Sequence, residues 1–255
     1  MKRSTVSFAR ISRAVFSVGL AAVIGALAVP TAATPISINT PAGLNPGDRF
    51  RIAFVTGTTT ADISSTDIAS YNLFVNTAAG GATYNGSAVT FYAIGSTATV
   101  NAYDNIHSTT MNDPVYLAGG ALVAPSITGA NGLWSGALVN RIATDIDGTV
   151  VSNERQVFTG TLVDGTASSR PLGNYQPAFI FTPGGFVASL GQATGGTDAA
   201  WIYSGSRNVP GYSFSLYGIS ETLTVASVPE PSTCVSLLAG LACGGYLRVR
   251  RRKQA

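Results

Sequence analysis

Two apolar segments, one near each end of the chain, fix how much of the chain is left to form a folded domain. Residues 14–29 are all apolar or small, and residues 232–247 repeat that pattern. The first segment follows a basic cluster, Lys2, Arg3, Arg10 and Arg13, and the second precedes another, Arg248, Arg250, Arg251, Arg252 and Lys253. Without roughly the first 33 and last 27 residues, about 195 remain, which suits a single domain.

The N-terminal segment has the order of a secretory signal peptide. A basic start is followed by the apolar run and then by small residues, Thr31-Ala32-Ala33, where signal peptidase cuts. We predict cleavage after Ala33 and a signal peptide over residues 1–33. The alternative is a retained membrane anchor, but the run is shorter than the ~20 residues that a membrane-spanning helix prefers.

The C-terminal segment is a short and weak candidate for a transmembrane helix. Residues 232–247 would extend roughly 24 Å as a helix, against a hydrocarbon core of about 30 Å. Gly240, Gly244 and Gly245 weaken the helix further. The basic cluster after it should stay in the cytoplasm, which places the domain outside. These residues alone therefore predict a weak stop-transfer anchor.

A proline motif stands directly before this segment. Pro229-Glu230-Pro231, one apolar helix and an Arg-rich end follow one another without a gap. Residues 229–255 therefore resemble the PEP-CTERM sorting signal of Gram-negative bacteria that make exopolysaccharide. The resemblance implies that an exosortase-type membrane protease recognises Pro-Glu-Pro and removes the tail. The two prolines favour an extended backbone, which a protease cleft can accept. The alternative is an ordinary single-span anchor.

The charge of the exported part differs from that of the whole chain. Residues 34–228 hold six basic and eleven acidic residues, a net charge of −5, and no Lys. An acidic domain has no electrostatic footprint for nucleic acid. Both cysteines, Cys234 and Cys243, lie in the tail, so no disulfide can staple the domain. A domain of this length can be stable through burial alone.

The domain itself predicts an α+β fold, strand-rich with one main early helix, with an all-β sandwich as the alternative. Residues 49–55 alternate as a strand with one buried face, on which Phe50, Ile52 and Phe54 lie opposite Arg49 and Arg51. Residues 64–79 predict a helix that a Ser64–Asp67 capping box begins and Gly80-Gly81 ends. Further short strands are predicted at 89–94, 114–117, 156–162, 179–181, 201–203, 214–217 and 223–225.

A second set of motifs covers most of residues 47–225. After the helix come PVYLAGGALV, LWSGAL and VFTGTLVDGTAS. This order resembles a domain that recurs in exported PEP-CTERM proteins and also the endostatin branch of the C-type-lectin-like fold, with its "W-x-G" segment and "V-W-x-G-x-x-x-x-G" strand and turn. Phe158 stands where that branch has Trp, and the domain lacks the cysteines of lectin-like loops. The resemblance implies a lectin-like fold and a binding or structural role.

Few residues of the domain suggest catalysis or metal binding. His107 is the only histidine, and we interpret it as a solvated loop residue. Asp145 and Asp147 would share one face of an extended segment and could bind Ca²⁺ or act as an acid–base pair. We prefer a turn there, because Asp147-Gly148 is a hairpin signal, as is Asp164-Gly165. No cofactor is expected.

Large aromatic residues could bind sugars or fill the core. We prefer core positions for Trp134 and Trp201, although exposed aromatic rings commonly stack on sugars. Five tyrosines add aromatic surface without a readable pattern: Tyr103, Tyr116, Tyr175, Tyr203 and Tyr212. Asn85-Gly86-Ser87 matches a glycosylation sequon, which we interpret as a turn.

The sequence thus predicts a non-enzymatic exported protein. Its partners are signal peptidase, an exosortase-type protease, the inner membrane for a time and, by the resemblance, exopolysaccharide. It would end in the cell envelope or outside the cell. One alternative is a secreted hydrolase that cuts a polymer with Asp145, Asp147 or Glu154. Another is a surface protein that keeps its anchor.

Overall fold

The computed structural model describes residues 35–57, 63–109, 112–151, 156–177, 184–208 and 215–227, all within a unit that begins at Thr34. The predicted signal peptide, the tail that resembles a PEP-CTERM signal and the predicted strand at 179–181 lie outside the described residues. Among these residues, the two α-helices are α1 (Ile68–Ala78) and α2 (Ala102–Asn105). The strands are β1 (Arg49–Val55), β2 (Thr83–Tyr84), β3 (Ser87–Ala88), β4 (Phe91–Ala93), β5 (Val115–Leu117), β6 (Leu122–Ala124), β7 (Gln156–Phe158), β8 (Tyr175–Gln176), β9 (Gly185–Gln192), β10 (Gly205–Asn208), β11 (Tyr217–Ser220) and β12 (Leu223–Thr224).

Strand β1 lies at the centre of the larger sheet. The strand order is β4-β11-β1-β5-β6, and β12 also pairs with β1, at Arg49 and Phe50. The β1–β5 pair is parallel, whereas β1 is antiparallel to β11 and β12. A second, antiparallel sheet has the order β10-β9-β7, with β8 on β9, and β2 and β3 form a hairpin. Strand-rich mixed sheets with one main helix confirm the α+β prediction at this level.

Both faces of β1 are buried, so the prediction of one buried face is wrong. Phe50, Ile52 and Phe54 lie in one apolar cluster, which includes residues of α1 and of the second sheet. Ala53 and Val55 lie in another cluster, which includes residues of β5, β6 and β11. Strand β1 is buried on both faces because a layer packs against each of them. The alternation of apolar and polar residues along the strand does not reveal the second layer.

Arg51 is the clearest departure from the sequence pattern. The alternation predicts an exposed side chain, yet Arg51 is 0% exposed. Its Nε donates to the carbonyl oxygen of Ser220 (2.6 Å) and its Nη1 to that of Ile106 (2.7 Å). The guanidinium therefore ties β1 to the end of β11 and to the end of α2.

The charge of Arg51 is retained inside the domain. Burial lowers its pKa to about 10, and the negative charges of Asp113 and Glu221 oppose that shift. Arg51 thus remains a cation at neutral pH. Its Nη2 is buried without a hydrogen-bond partner among the described residues. A buried cation is tolerated only when it is paired and hydrogen-bonded, so this cluster is sensitive to loss of any member.

Helix α1 confirms the predicted early helix, although its beginning differs. Asp67 is the N-cap, and its side chain accepts from the backbone N–H of Ala69 (2.9 Å), whereas the predicted capping box begins the helix at Ser64. Tyr71 and Val75 are buried on the predicted apolar face. Gly80 follows the C-cap residue with a φ of 60°, a left-handed conformation that glycine adopts without strain.

Amide side chains from the helices cover one edge of the larger sheet. Strand β4 forms this edge and β6 the other, and Asn76 exchanges hydrogen bonds with both the backbone N–H and the carbonyl oxygen of Phe91. The N–H of Ala93 donates to Asn72 Oδ1 (2.8 Å), and its carbonyl oxygen accepts from Asn105 Nδ2 (2.8 Å). The side chains thus replace a neighbouring strand and satisfy groups that would otherwise invite pairing with another chain.

The predicted strands agree with the structure in part. The predictions at 89–94, 114–117, 156–162 and 223–225 contain β4, β5, β7 and β12, and that at 214–217 contains the first residue of β11. The predicted strand at 201–203 is wrong, because Ala199–Trp201 forms a 3-10 turn after the N-cap Asp198. Six described strands were missed: β2, β3, β6, β8, β9 and β10. No helix among the described residues is long and apolar enough to span a membrane.

Close backbone approaches explain why β9 is hard to find in the sequence. A Cβ on Gly191 would collide with the carbonyl oxygen of Trp201, so only glycine fits this position of β9. In β11, the ring of Phe54 lies where a Cβ of Gly218 would be, and these two residues face each other across the strands. Glycine lowers the strand propensity of a sequence, but here it makes room for neighbours.

We predict that Arg51→Ala lowers the free energy of unfolding by about 3 kcal/mol or more, because it strips two buried carbonyl groups of their donor and leaves nearby acids uncompensated. The matched control is Arg49→Ala on the same strand. The Arg49 side chain is 52% exposed and its ion pair with Asp113 spans 3.2 Å, so its loss should cost about 1 kcal/mol or less. Urea denaturation of both variants measures the difference, and equal losses would contradict the structural role of Arg51.

We predict that Asn76→Ala lowers the free energy of unfolding by about 2 kcal/mol, since both backbone groups of Phe91 lose their partner. Thr77→Ala is the control on the next residue of α1. Thr77 is exposed, and its hydroxyl donates only to the carbonyl of Leu73 in the same helix. Urea denaturation measures the free energy of unfolding of both variants. An Asn76→Ala variant as stable as the control would show that the hydrogen bonds of Asn76 to β4 do not stabilise the domain.

Candidate functional site

Asp145 and Asp147 lie in a tight hairpin turn. The N–H of Asp145 donates to the carbonyl oxygen of Thr149 (3.0 Å), and the N–H of Gly148 donates back to the carbonyl of Asp145 (3.1 Å). Thr144 and Val150 pair on either side. Gly148 has a φ of 88°, the conformation that an Asp-Gly turn requires. The turn interpretation of this segment is confirmed.

The two carboxylates bind the same backbone amide. The N–H of Thr149 donates to Asp145 Oδ1 (2.8 Å) and to Asp147 Oδ1 (2.9 Å). Burial and a side-chain hydrogen bond with Asp147 raise the pKa of Asp145 to about 6. That same hydrogen bond, with those from Thr149, lowers the pKa of Asp147 to about 2. Between these two values the pair holds one proton.

The hydrogen bonds from the Thr149 amide to both carboxylates stabilise the turn. An acid and a base with separated pKa values are what general acid–base catalysis needs, but here each carboxylate has an oxygen bound to the Thr149 amide. Asp145 is half-buried and Asp147 is exposed. Among the described residues, no three His, Cys, Asp or Glu side chains are grouped so that they could hold a metal ion.

The segment around Asp164 is a turn of the same kind with a single carboxylate. The N–H of Gly165 donates to the carbonyl of Leu162 (3.0 Å). Asp164 Oδ1 accepts from the backbone N–H (3.0 Å) and the hydroxyl (2.6 Å) of Thr166. These hydrogen bonds lower the pKa of Asp164. The predicted turn is confirmed, and it offers an internal reference for the Asp145–Asp147 pair.

His107 is exposed at the end of α2, as the sequence suggests for a loop histidine. Its φ is 56°, in the left-handed region, and its ring stands edge-on to Tyr92 with centroids 5.0 Å apart. His107 does not form a group with Asp145 and Asp147 that could share a metal ion. Glu154, the third carboxylate of the hydrolase hypothesis, lies outside the described residues.

The two tryptophans occupy the core and its border. Trp201 is 0% exposed and packs on Tyr217, whose hydroxyl donates to the carbonyl oxygen of Trp201 (3.0 Å). Trp134 is half-buried, its ring is stacked on Trp201 (centroids 6.2 Å apart), and its Nε1 donates to Ser108 Oγ (2.9 Å). The preference for core positions is confirmed for Trp201 and holds in part for Trp134.

The motifs behind the lectin-like resemblance pack against each other. Trp134 and Gly136 belong to the "W-x-G" segment, and Gly165 closes the strand-and-turn motif that begins in β7. A Cβ on Gly165 would lie 3.0 Å from the indole of Trp134. A Cβ on Gly136 would lie 2.8 Å from the side chain of Val163. Both glycines therefore allow a contact that a larger residue would block, and the indole is covered by Gly165 as well as by Trp201.

The tyrosines do not form one surface. Tyr103 and Tyr116 are half-buried, whereas Tyr175 and Tyr203 are 58% and 40% exposed. Tyr175 packs edge-on against Phe186, with centroids 5.4 Å apart. Tyr212 lies outside the described residues.

A cavity of about 300 Å³ between loops 39–42 and 118–120 has no titratable side chain in its lining.

One polar cluster, around Asp113, was missed. Asp113 Oδ2 accepts from Arg49 Nη2 (3.2 Å) and from the hydroxyl of Thr222 (2.6 Å), and its charge also acts on Arg51. Asp113 lies just before Pro114 and β5, and the parallel pairing of β5 with β1 brings it to the two arginines. Only that pairing reveals the cluster, so no local signal could have found it.

Both ends of the described domain are held by backbone hydrogen bonds. Near the start, Thr83 donates to the carbonyl of Ile36 (2.8 Å) and accepts from the N–H of Ile38 (2.8 Å). Near the end, the N–H of Val225 donates to Asp48, and its carbonyl accepts from Gly47, both at 2.9 Å. The predicted cleavage residue Ala33, the motif Pro229-Glu230-Pro231 and the basic cluster of residues 248–253 lie outside the described residues.

Comparison with known proteins finds no family model that matches the chain and no curated protein that matches it.

We predict that Asp147→Asn lowers the pKa of Asp145, because the amide can donate to the Asp145 carboxylate, while burial still keeps that pKa above its ordinary value. NMR titration of the carboxyl groups measures the pKa of Asp145 in this variant.

The two shifted pKa values also make stability depend on pH. In the native pair, the raised pKa of Asp145 contributes stability below its unfolded value near pH 4, and this contribution is lost as the pH rises through about 6. The lowered pKa of Asp147 contributes stability above about pH 4, which is lost as the pH falls through about 2.

The control for this titration is Asp164→Asn, which removes a carboxylate from the other Asp-Gly turn. The Asp145 midpoint should stay at its native position in this variant. An Asp145 midpoint near 6 in both variants would show that burial alone sets it.

Proposed function

We propose that this chain is an exported protein of the cell envelope or extracellular matrix, sorted and trimmed through a PEP-CTERM tail. Signal peptidase removes the leader after Ala33, and the tail then holds the domain on the outer side of the inner membrane. An exosortase-type protease cuts near Pro229-Glu230-Pro231 and releases the domain. The domain does binding or structural work in an exopolysaccharide matrix and is not an enzyme.

The observation that carries this proposal is the position of the domain between its two processing sites. Backbone hydrogen bonds begin at Ile36 and end at Val225 among the described residues. Ile36 lies three residues after Ala33 and Val225 four residues before Pro229, so the hydrogen-bonded domain extends almost to both proposed cleavage points. A folded domain that fits between the two junctions is what removal of both segments requires.

Two features of the described domain are compatible with a location outside the cytoplasm. Residues 34–228 contain no cysteine, and the core is built from two apolar clusters, one on each side of β1. Its stability therefore does not depend on the redox state of the compartment. The β4 edge of the larger sheet is covered by Asn72, Asn76 and Asn105, which disfavours pairing of that edge with other chains.

A lectin-like architecture is the finer part of the proposal. The packing of Trp134 on Gly165 and of Val163 on Gly136 supports it, since the two motifs that resemble the endostatin branch form one contact. Fold likeness would direct a search toward glycans of the matrix, but a fold by itself does not assign a ligand. Exposed Tyr175 and Tyr203 offer rings for sugar contacts.

One observation favours the hydrolase as a second candidate. The pKa values of Asp145 and Asp147 are separated to about 6 and about 2, as in a pair of acid and base. If the domain cuts a matrix polymer, Asp145→Asn should abolish the release of reducing ends, while Asp164→Asn should leave it unchanged. A domain that binds matrix glycans and releases no reducing ends would exclude this candidate.

We predict that the mature protein lacks the leader and the Arg-rich tail. Intact-mass spectrometry of the protein from a host with an exosortase-type protease should give a chain that starts near Thr34 and ends close to Pro229. Replacement of Pro229, Glu230 and Pro231 by Ala should leave the tail attached and the protein in the membrane fraction. A native chain that keeps residues 248–253 would overturn the sorting proposal and favour the permanent anchor.

A further inference from the structure

The closing strand of the domain lies very near the predicted processing site. Val225 is bound to Asp48 and Gly47, and only three residues, 226–228, separate it from Pro229. A fully extended chain spans at most ~3.6 Å per residue, so Pro229 lies within about 14 Å of Val225. A domain of about 190 residues has a radius of gyration near 16 Å. The width of the folded domain is thus much greater than the length of the tether that joins it to the motif.

Several contacts hold the C-terminal segment against the domain. Leu223 is buried and pairs with Phe50 of β1. The hydroxyl of Thr222 donates to the buried Asp113 (2.6 Å), and the N–H of Glu221 donates to the carbonyl of Thr90 (2.8 Å). These contacts fix the segment up to Val225, so the folded domain has no slack to lengthen the tether.

The last strands to emerge are those that complete the centre of the fold. During N-terminus-first export, β1 is outside long before β11 and β12, which pair with it on one side at Val55–Ala53 and at Arg49–Phe50. The tail follows directly after them. Completion of the sheet and presentation of Pro229-Glu230-Pro231 at the membrane therefore fall in the same interval.

We propose that folding of the domain and removal of its tail compete, because the folded domain shields the Pro-Glu-Pro motif from a membrane-embedded protease. The protease cuts while β12 is not yet closed on β1, or when β12 opens. This inference rests on the proposed sorting function. It adds an order of events that the motif alone does not specify.

The test is a pulse–chase measurement of tail removal in a host with an exosortase-type protease. A ten-residue Gly/Ser linker is inserted between Ser227 and Val228, which adds up to about 36 Å of reach. The control carries the same linker in the exposed β2–β3 turn, between Asn85 and Gly86. We expect the half-time of tail removal to shorten at least threefold with the first insertion and to stay unchanged with the control.

A second variant tests the role of β12 without a longer tether. Leu223→Ala weakens the contact with Phe50 and should also speed tail removal in the native-length chain, but have no further effect in the linker variant. Resistance of the released domains to added protease verifies that they fold. Equal half-times for the linker variant, its control and the native chain would overturn the competition.

Failure of the sorting function would look different. If the native chain and the variant with Ala at 229, 230 and 231 both keep their tails, the sorting function is wrong, and the competition falls with it. If only the Ala variant keeps its tail and the linker has no effect, sorting stands and the competition is wrong.

Discussion

Burial of β1 on both faces is the constraint on which the rest of the domain depends. One face carries Phe50, Ile52 and Phe54 into the cluster under α1. The other face also carries Arg51, whose guanidinium donates to two carbonyl oxygens, those of Ser220 and Ile106. Ser220 is the last residue of β11 and Ile106 is the C-cap of α2. The Arg51 cation therefore aligns β1 with two elements that are distant from it in sequence. Its cost in desolvation is opposed in part by Asp113, just before β5, and Glu221, just after β11.

Local features of this fold could be predicted from the sequence. The turns at Asp147-Gly148, Asp164-Gly165 and Asn85-Gly86 depend on a few neighbouring residues, and the structure has a turn at each of them. Asn85 and Gly86 take φ values of 51° and 80°, which Asn and Gly adopt with little strain. Helix α1 was predictable for the same reason, since one periodic stretch between an acidic N-cap and two glycines contains its whole signal.

Features that depend on distant partners could not be predicted. Strand β9 contains Gly185 and Gly191 and has low intrinsic strand propensity, yet it pairs with β7, β8 and β10 in the second sheet, and Gly191 leaves the space that the carbonyl oxygen of Trp201 occupies. Conversely, the aromatic run at Trp201 has the composition of a strand but follows Asp198, whose side chain accepts from the N–H of Ala200 and starts a 3-10 turn. A local hydrogen bond there overrides the propensity of the aromatic residues.

The candidate site shows the same division between local and distant signals. Asp145 and Asp147 are readily found as a pair, but the sequence does not say that one amide, that of Thr149, binds both. Asp113 has no motif around it, yet it connects β1, β5 and the segment before β12 through Arg49, Arg51 and Thr222.

The hydrogen bonds of Arg51 and Asp113 bear on how a chain that is exported, as we propose, would fold. A chain that emerges from its N-terminus presents Arg51 early, with β1, whereas Ser220 and Thr222 come at the end of the domain. Until they arrive, the Arg51 cation lacks its Ser220 acceptor and Asp113 lacks the hydroxyl of Thr222. The incomplete sheet therefore has a charged, hydrated centre, which disfavours premature burial of β1. The last residues of the domain thus supply both a pairing strand and the polar contacts that make burial of Arg51 favourable.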